Sequence, residues 1–196
     1  QRYLSRTPIQ IVYGFQACGN SIYIKRDDLL PFSFGGNKVR IADAFLSDMK
    51  ARGCDAMVMY GDRHSNLCRV LANMCHIEGF PCIMVVTTST GDTGEISFNQ
   101  TITSLFDVRM LPCQNDAIAD AVDAAMETLS SEGHTPYYIY GNRLGTGNEG
   151  VAASAYASAY CEIKEQEREL GLTFDRIVLP YGTGSTQGGL IAGELS

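Results

Sequence analysis

Lys38 is the residue of this sequence best placed to do chemistry. It lies in Ser33-Phe34-Gly35-Gly36-Asn37-Lys38-Val39-Arg40, a stretch preceded by the charged group Lys25-Arg26-Asp27-Asp28. Two adjacent glycines leave the backbone bare of Cβ bulk, so another group can approach the main chain closely. From Asn37 to Met49 the apolar positions Val39, Ala42, Phe45, Leu46 and Met49 share one face, which predicts a helix with the lysine at its start. A lysine there, partly withdrawn from water, gives up its proton more easily, as an amine nucleophile must. A solvated surface lysine is the plain alternative for Gly-Gly-Asn-Lys taken alone.

A second stretch lies far along the chain. Ile177-Val178-Leu179-Pro180 reads as a short strand that runs into Tyr181-Gly182-Thr183-Gly184-Ser185-Thr186-Gln187-Gly188-Gly189, after which Leu190-Ile191-Ala192 opens a helical pattern. Strand, glycine-hydroxyl loop and helix start form an anion cradle, because unpaired N–H groups and the helix dipole both favour negative charge. Ser185 and Thr186 add hydroxyl donors, and Gln187 begins the helix. No lysine follows in Walker spacing, and Gly182-Thr183-Gly184 does not continue as a dinucleotide fingerprint. A phosphate monoester therefore fits better than a nucleotide, with a plain tight turn as the alternative.

The elements that must position these residues alternate. Residues 9–13 and 21–25 are short β-type runs around a turn at Ala17-Cys18-Gly19-Asn20. After the Lys38 helix, 56–60 reads as a buried strand, and Ser65 caps a helix carrying Leu67, Val70, Leu71, Met74 and Cys75 that ends at Gly79. Residues 81–87 form the next strand, 88–94 a polar loop, and 96–105 a weak helix. A strand at 108–111 leads to a helix capped by Asn115 and stopped by Gly133. A strand at 137–140 and a long alanine-rich helix from Asn148 or Glu149 to about Leu170 complete the alternation. This order predicts an α/β fold with parallel, doubly wound sheet.

With 196 residues, 45% of them hydrophobic, the chain can bury a core in one domain or two small ones. A formal net charge of −7 argues against nucleic acid or an anionic membrane as partner. There is no apolar run of transmembrane length and no signal-peptide pattern at Gln1-Arg2-Tyr3, and the glutamine start points to an initial segment outside this numbering. The seven dispersed cysteines form no Cys-x-x-Cys, and only three histidines are present, so no metal site is expected; reduced, buried thiols and a cytoplasmic location are.

A reactive lysine and a phosphate cradle are the two contacts that pyridoxal 5′-phosphate requires: an amine for its aldehyde and a neutralising loop for its phosphate. The sequence also resembles the 1-aminocyclopropane-1-carboxylate deaminase and D-cysteine desulfhydrase family, within the fold type II, tryptophan-synthase-β-like pyridoxal phosphate enzymes. IKRDDLLPFSFGGNKVR at 24–40, HSNLCR at 64–69 and GTGSTQGGL at 182–190 carry the likeness, in the family's order and over nearly the whole chain. The resemblance implies two doubly wound parallel-sheet domains, the smaller (41–149) inserted in the larger (1–40 and 150–196). Family members run on beyond the phosphate loop, whereas this chain stops six residues after Leu190, so the large domain is expected to be incomplete.

The resemblance also implies roles. Lys38 would hold the cofactor covalently and later move protons. Asn66 would bond the cofactor's phenolic oxygen, and Gly182, Thr183, Gly184, Ser185 and Thr186 would hold its phosphate. Ser65 would contact the substrate carboxylate or help open the substrate, or else serve only as a helix cap. His64, where the family usually has glutamine, would be a substrate-side acid or base, or a solvated loop histidine. Arg40, paired with Asp27 or Asp43, and Arg69 would be structural, and the tyrosines at 137, 138 and 140 strand packing. The expected reaction is β-elimination or ring opening of a small amino acid, releasing ammonia and a 2-oxo acid, by a homodimer. Two other readings stay open: a cofactor-binding but silent or truncated homologue working through a partner, and a phosphosugar- or nucleotide-binding domain without Schiff-base chemistry.

Overall fold

The computed structural model describes residues 4–14, 19–87 and 96–196. The expected polar loop at 88–94 and the Ala17-Cys18 part of the first turn lie outside the described residues. The sequence's alternation of strand and helix is realised in a four-stranded sheet. Its strands are β3 (Ala56–Gly61), β4 (Cys82–Thr87), β5 (Val108–Cys113) and β6 (Pro136–Tyr138), ordered β5-β4-β3-β6 and all parallel. A separate antiparallel pair, β1 (Ile9–Ile11) and β2 (Tyr23–Lys25), precedes it.

Helix α1 (Asn37–Ala51) and helix α2 (Asn66–Glu78) lie on one face of the parallel sheet. Met57 of β3 meets Cys75 of α2 there, and Tyr137 of β6 bonds Asp48 of α1. Successive strand residues point to opposite faces, so Val58, Tyr60 and Tyr138 turn the other way. Helix α4 (Ile118–Ser131) packs on the sheet and buries Val122, Ala125 and Leu129. With helices on the sheet, its central strands are buried throughout: Ala56 to Met59 expose no surface at all.

Helix α3 (Phe98–Thr103) is short, and helix α5 (Glu149–Leu170) is long. Helix α6 (Ser185–Leu195) packs on α5 through small residues: a Cβ on Gly189 would stand 2.4 Å from the Ala153 carbonyl oxygen. Of the six described free cysteines, Cys68, Cys75 and Cys82 are buried as expected, Cys54 and Cys113 half-buried, and Cys161 exposed. No group of metal-ligating side chains occurs among the described residues, and no described helix is long and apolar enough to cross a membrane.

Three local expectations are corrected. Residues 177–180 join no ladder among the described residues, and Val178 is 92% exposed; an apolar run becomes a strand only where a neighbour pairs with it. Asn115 starts a short 3₁₀ turn instead of capping α4, whose first residue is Ile118. Helix α6 begins at Ser185, two residues before Gln187, so Ser185 and Thr186 sit in its first turn.

Candidate functional site

The bend before Lys38 is unusual. Phe32, Ser33, Phe34, Gly35 and Gly36 have φ of 72°, 44°, 70°, 69° and 91°, five left-handed residues in a row. Non-glycine residues hold this conformation only where their surroundings fix it. Here Asn73 donates to Ser33 Oγ at 3.0 Å, the Arg69 guanidinium lies 5.7 Å from the Phe34 ring centre, and Phe34 packs on Phe98. The Gly36 N–H donates to the Asp27 carbonyl at 2.8 Å. A side chain at Gly35 would place its Cβ 2.3 Å from the Asp28 carbonyl oxygen, so only glycine fits.

From this bend α1 leaves with Lys38 as its second residue. The side chain is half-buried, and burial alone pulls its pKa below the usual lysine range. Among the described residues no hydrogen bond or ion pair holds its ammonium. A cleft lined by Asn37 and Lys38 is completed by 179–187, which includes Gly182, Thr183, Gly184, Ser185 and Thr186. The two distant stretches meet there, and Asn37 Nδ2 joins them directly by donating to Thr186 Oγ1 at 3.1 Å.

Gly184 caps α6 in the left-handed conformation with no side-chain bond to the helix. The N–H groups of Ser185, Thr186 and Gln187 stand in the first turn, where no helix carbonyl can receive them. Thr183 Oγ1 and Ser185 Oγ are 3.1 Å apart, and nothing lies within 4 Å of where a Gly182 Cβ would stand. Open backbone, free N–H donors and two hydroxyls beside an amine suit a phosphate.

The remaining predicted residues stand at the start of α2. Ser65 is its N-cap: Oγ accepts the Cys68 N–H at 3.2 Å. The helix can approach the end of β3 because Gly61 has no side chain; a Cβ there would be 2.8 Å from Ser65 Cβ. Asn66 Oδ1 accepts from Asn99 Nδ2 at 3.0 Å, and the same amide donates to the His64 carbonyl. The His64 and Asn66 side chains are exposed. None of the three lines the Lys38 cleft; its described lining is 37–38 and 179–187 alone.

Sequence reasoning missed two contributors. Asn37 carried a signal, since it sits beside the lysine at a helix start. Asn99 carried none: its bonds to His64 and Asn66 cross more than thirty residues. Arg69, expected to be structural, is half-buried, with Nη1 donating to Asn99 Oδ1 at 2.7 Å.

Arg40 lies two residues beyond Lys38 and is 4% exposed. It makes a two-bond fork on Asp27, at 2.9 and 2.8 Å, and reaches Glu162 of α5 at 3.0 Å. Asp27 is thus its partner; Asp43 is not, and Asp43 Oδ2 is buried without a hydrogen bond. Tyr156 donates to Asp27 at 3.0 Å, and Lys25 donates to Glu162. Burial alone would raise the Asp27 and Glu162 carboxyls, but Arg40 and the other donors outweigh it and hold both below the usual carboxylate range.

The family model for pyridoxal-phosphate dependent enzymes matches residues 1–194. This chain belongs to that family. The D-cysteine desulfhydrases of Salmonella paratyphi B and Salmonella newport are each 32% identical to it over 183 residues, covering 89% of this chain and 53% of theirs. A crystal structure of an ACC deaminase homologue superposes with a TM-score of 0.80 at 28% identity, over 98% of this chain and 57% of that one. A hydrogen sulfide-producing enzyme from Fusobacterium nucleatum shares the fold, with a TM-score of 0.71 at 18% identity, over 98% of this chain and 59% of that one. The chain spans about half the length of the curated relatives it matches. For a pyridoxal-phosphate dependent enzyme the cleft is chemically apt: a half-buried amine, unpaired among the described residues, lines it together with a donor-rich loop.

Proposed function

We propose that this chain is a pyridoxal-phosphate dependent lyase or deaminase acting on a small amino acid, as the names of its relatives suggest. The observation that carries the reading is Lys38, an amine without a partner among the described residues, on one cleft with residues 182–187. When bound, pyridoxal phosphate supplies an electron sink for the carbon framework of an amino acid. Lys38 would hold its aldehyde, and the lowered pKa leaves a larger share of neutral amine for that bond and for later proton transfer. Gly182, Thr183, Gly184, Ser185 and Thr186 would hold its phosphate with backbone and hydroxyl donors, and Asn66 its phenolic oxygen. Ser65 and the N–H groups opening α2 suit a carboxylate, and His64 would work at the substrate's edge.

In this reading 41–149 is a small domain built on the parallel sheet, 1–40 and 150–196 belong to a larger one, and the protein works in the cytoplasm as a homodimer. D-cysteine desulfhydration and 1-aminocyclopropane-1-carboxylate deamination both end in ammonia and a 2-oxo acid.

The test is to load the chain with pyridoxal phosphate and record the visible spectrum. A band that borohydride removes, and that a Lys38→Ala chain lacks, is expected. D- and L-β-substituted amino acids and the cyclopropane substrate are then assayed for 2-oxo acid. A colourless chain, or an unchanged band in Lys38→Ala, overturns the assignment of Lys38. A Lys38-dependent band that no amino acid perturbs favours the silent homologue instead.

A further inference from the structure

Among the described residues, the threonines that stand in helices differ in what their hydroxyls do. Thr101 donates to the Ser97 carbonyl at 3.2 Å, Thr103 to the Asn99 carbonyl at 2.8 Å and Thr128 to the Ala124 carbonyl at 2.7 Å, each reaching one turn back. Thr186 does not. It is the second residue of α6, so the residue four before it is Gly182, in the loop. Its oxygen is used the other way: Asn37 Nδ2 donates to Oγ1 at 3.1 Å. A hydroxyl carries one proton and two lone pairs. Once Oγ1 accepts from Asn37, its proton must go to another acceptor, and none is present among the described residues.

The neighbouring hydroxyls are placed differently. Thr183 Oγ1 and Ser185 Oγ lie 3.1 Å apart and share one bond, so one of their protons is spent on the other. Thr186 keeps its own, and it lines the Lys38 cleft together with Asn37. The helix of Asn37 does not need this amide: Gly36 opens α1 with no side-chain cap. The bond to Thr186 is also the one side-chain hydrogen bond of Asn37 among the described residues. Neither α1 nor α6 carries an acidic residue in its first turn, so no carboxylate competes there for the Thr186 proton.

We propose that Asn37 is a positioning residue for a bound phosphate. By occupying a lone pair of Thr186 Oγ1, it leaves the Thr186 proton to donate into the cleft, to an oxygen of a phosphate monoester. The inference rests on the reading of 182–187 as the phosphate loop. It gives Asn37 a task separate from that of the lysine beside it: Lys38 holds the aldehyde, and Asn37, acting through Thr186, sets the grip on the phosphate.

The test titrates the full chain and its variants with pyridoxal phosphate and with pyridoxal, which lacks the phosphate, by absorbance, and with inorganic phosphate by phosphorus NMR. Thr186→Val should weaken pyridoxal phosphate about tenfold, as the loss of one hydrogen bond to a charged group does, and Thr186→Ser should recover most of that. Asn37→Ala should weaken it about fivefold, yet add less than about twofold in the Thr186→Val chain, because the two act as a unit. Asn37→Asp turns the donor into an acceptor that captures the Thr186 proton, and should weaken binding more than Asn37→Ala. Pyridoxal affinity should change in none of them. Additive losses, an equal loss for pyridoxal, or an Asn37→Asp chain that binds as tightly as the native one overturns the proposal, as does the absence of saturable phosphate binding. A chain that forms no borohydride-sensitive band, yet binds inorganic phosphate with the same dependence on Asn37 and Thr186, refutes the Lys38 assignment and upholds this one. Should Thr186→Val fail to fold by near-ultraviolet circular dichroism, the ranking of native, Asn37→Ala and Asn37→Asp chains against unchanged pyridoxal decides it.

Discussion

Replacing Arg40 with methionine removes one side chain from the polar knot behind Lys38 and leaves its volume nearly filled. Arg40 is 4% exposed, and its carboxylate partners Asp27 and Glu162 expose only 14% and 17% of their side chains. Lost with it are the fork on Asp27, the bonds to Glu162 and the contact with Thr7 Oγ1 at 3.1 Å. Lys25 still reaches Glu162, and Thr7 and Tyr156 still reach Asp27, so the carboxylates are under-compensated but not bare. Removing one partner of a buried pair costs about 3–5 kcal/mol. For a chain of this size that lowers Tm by roughly 6–20 °C, at about 2–4 °C per kcal/mol. The pH dependence gives a sharper test. Both carboxyls are held below their unfolded range, so the stability they confer is present above about pH 4 and is lost as pH falls through their folded values. The gap between native and Arg40→Met melting curves, followed by circular dichroism, should therefore be wide at pH 7 and close in acid. Arg6→Met, which breaks only an exposed pair with Glu169, is the control and should barely shift Tm. A gap that stays constant into acid, or is no larger than the control's, refutes the electrostatic account of this knot.

Gly35→Ala should lower the unfolding free energy from urea melts by more than the roughly 1–2 kcal/mol of a left-handed alanine, because its Cβ also meets two backbone carbonyls. Gly36→Ala, with nothing within 4 Å, should show only the conformational part. Ser65→Ala should cost about 1 kcal/mol in chemical denaturation through the lost α2 cap, and Ser65→Thr should recover most of it. A fall in 2-oxo acid formation that Ser65→Thr does not recover would separate a substrate role from capping. Acetylation followed by mass spectrometry from pH 7 to 10 should show Lys38 becoming reactive at lower pH than exposed lysines, since burial lowers its pKa. Reactivity that rises only with the surface lysines would contradict the desolvated amine.

What the sequence made legible was local. Helix α2 could be read because Ser65, its apolar face and Gly79 are marks written within fifteen residues, and each took its expected place. The apolar run at 177–180 carried the same kind of signal and failed, because strandedness belongs to a pair and no described neighbour supplies the other half. Asn115 failed as a cap because the 3₁₀ turn set the helix start three residues later. At the site, Gly-Gly-Asn-Lys and Gly-Thr-Gly-Ser-Thr each carried a chemical signal in the sequence, and the Asn37–Thr186 bond brings the two stretches to one cleft. The left-handed run through Phe32, Ser33 and Phe34 could not be foreseen, since none of these residues favours that conformation. It is imposed by contacts with Asn73, Arg69 and Phe98, all distant in the chain.

Those contacts explain how a strained bend can fix the direction of the Lys38 side chain. Three non-glycine residues in the left-handed region together cost about 3–6 kcal/mol, and a chain free to relax would move Lys38 as it did so. Asp27 prevents this from both sides of the lysine. Its carbonyl accepts the Gly36 N–H at 2.8 Å, two residues before Lys38, and its carboxylate takes the Arg40 fork two residues after. Gly36 through its backbone and Arg40 through its side chain are tied to the same residue, so α1 cannot turn about its axis without breaking one bond or the other. A side chain two residues from either anchor inherits that direction. The buried knot and the left-handed bend are therefore one device, and weakening Asp27 should loosen the grip on Lys38 before it unfolds the sheet.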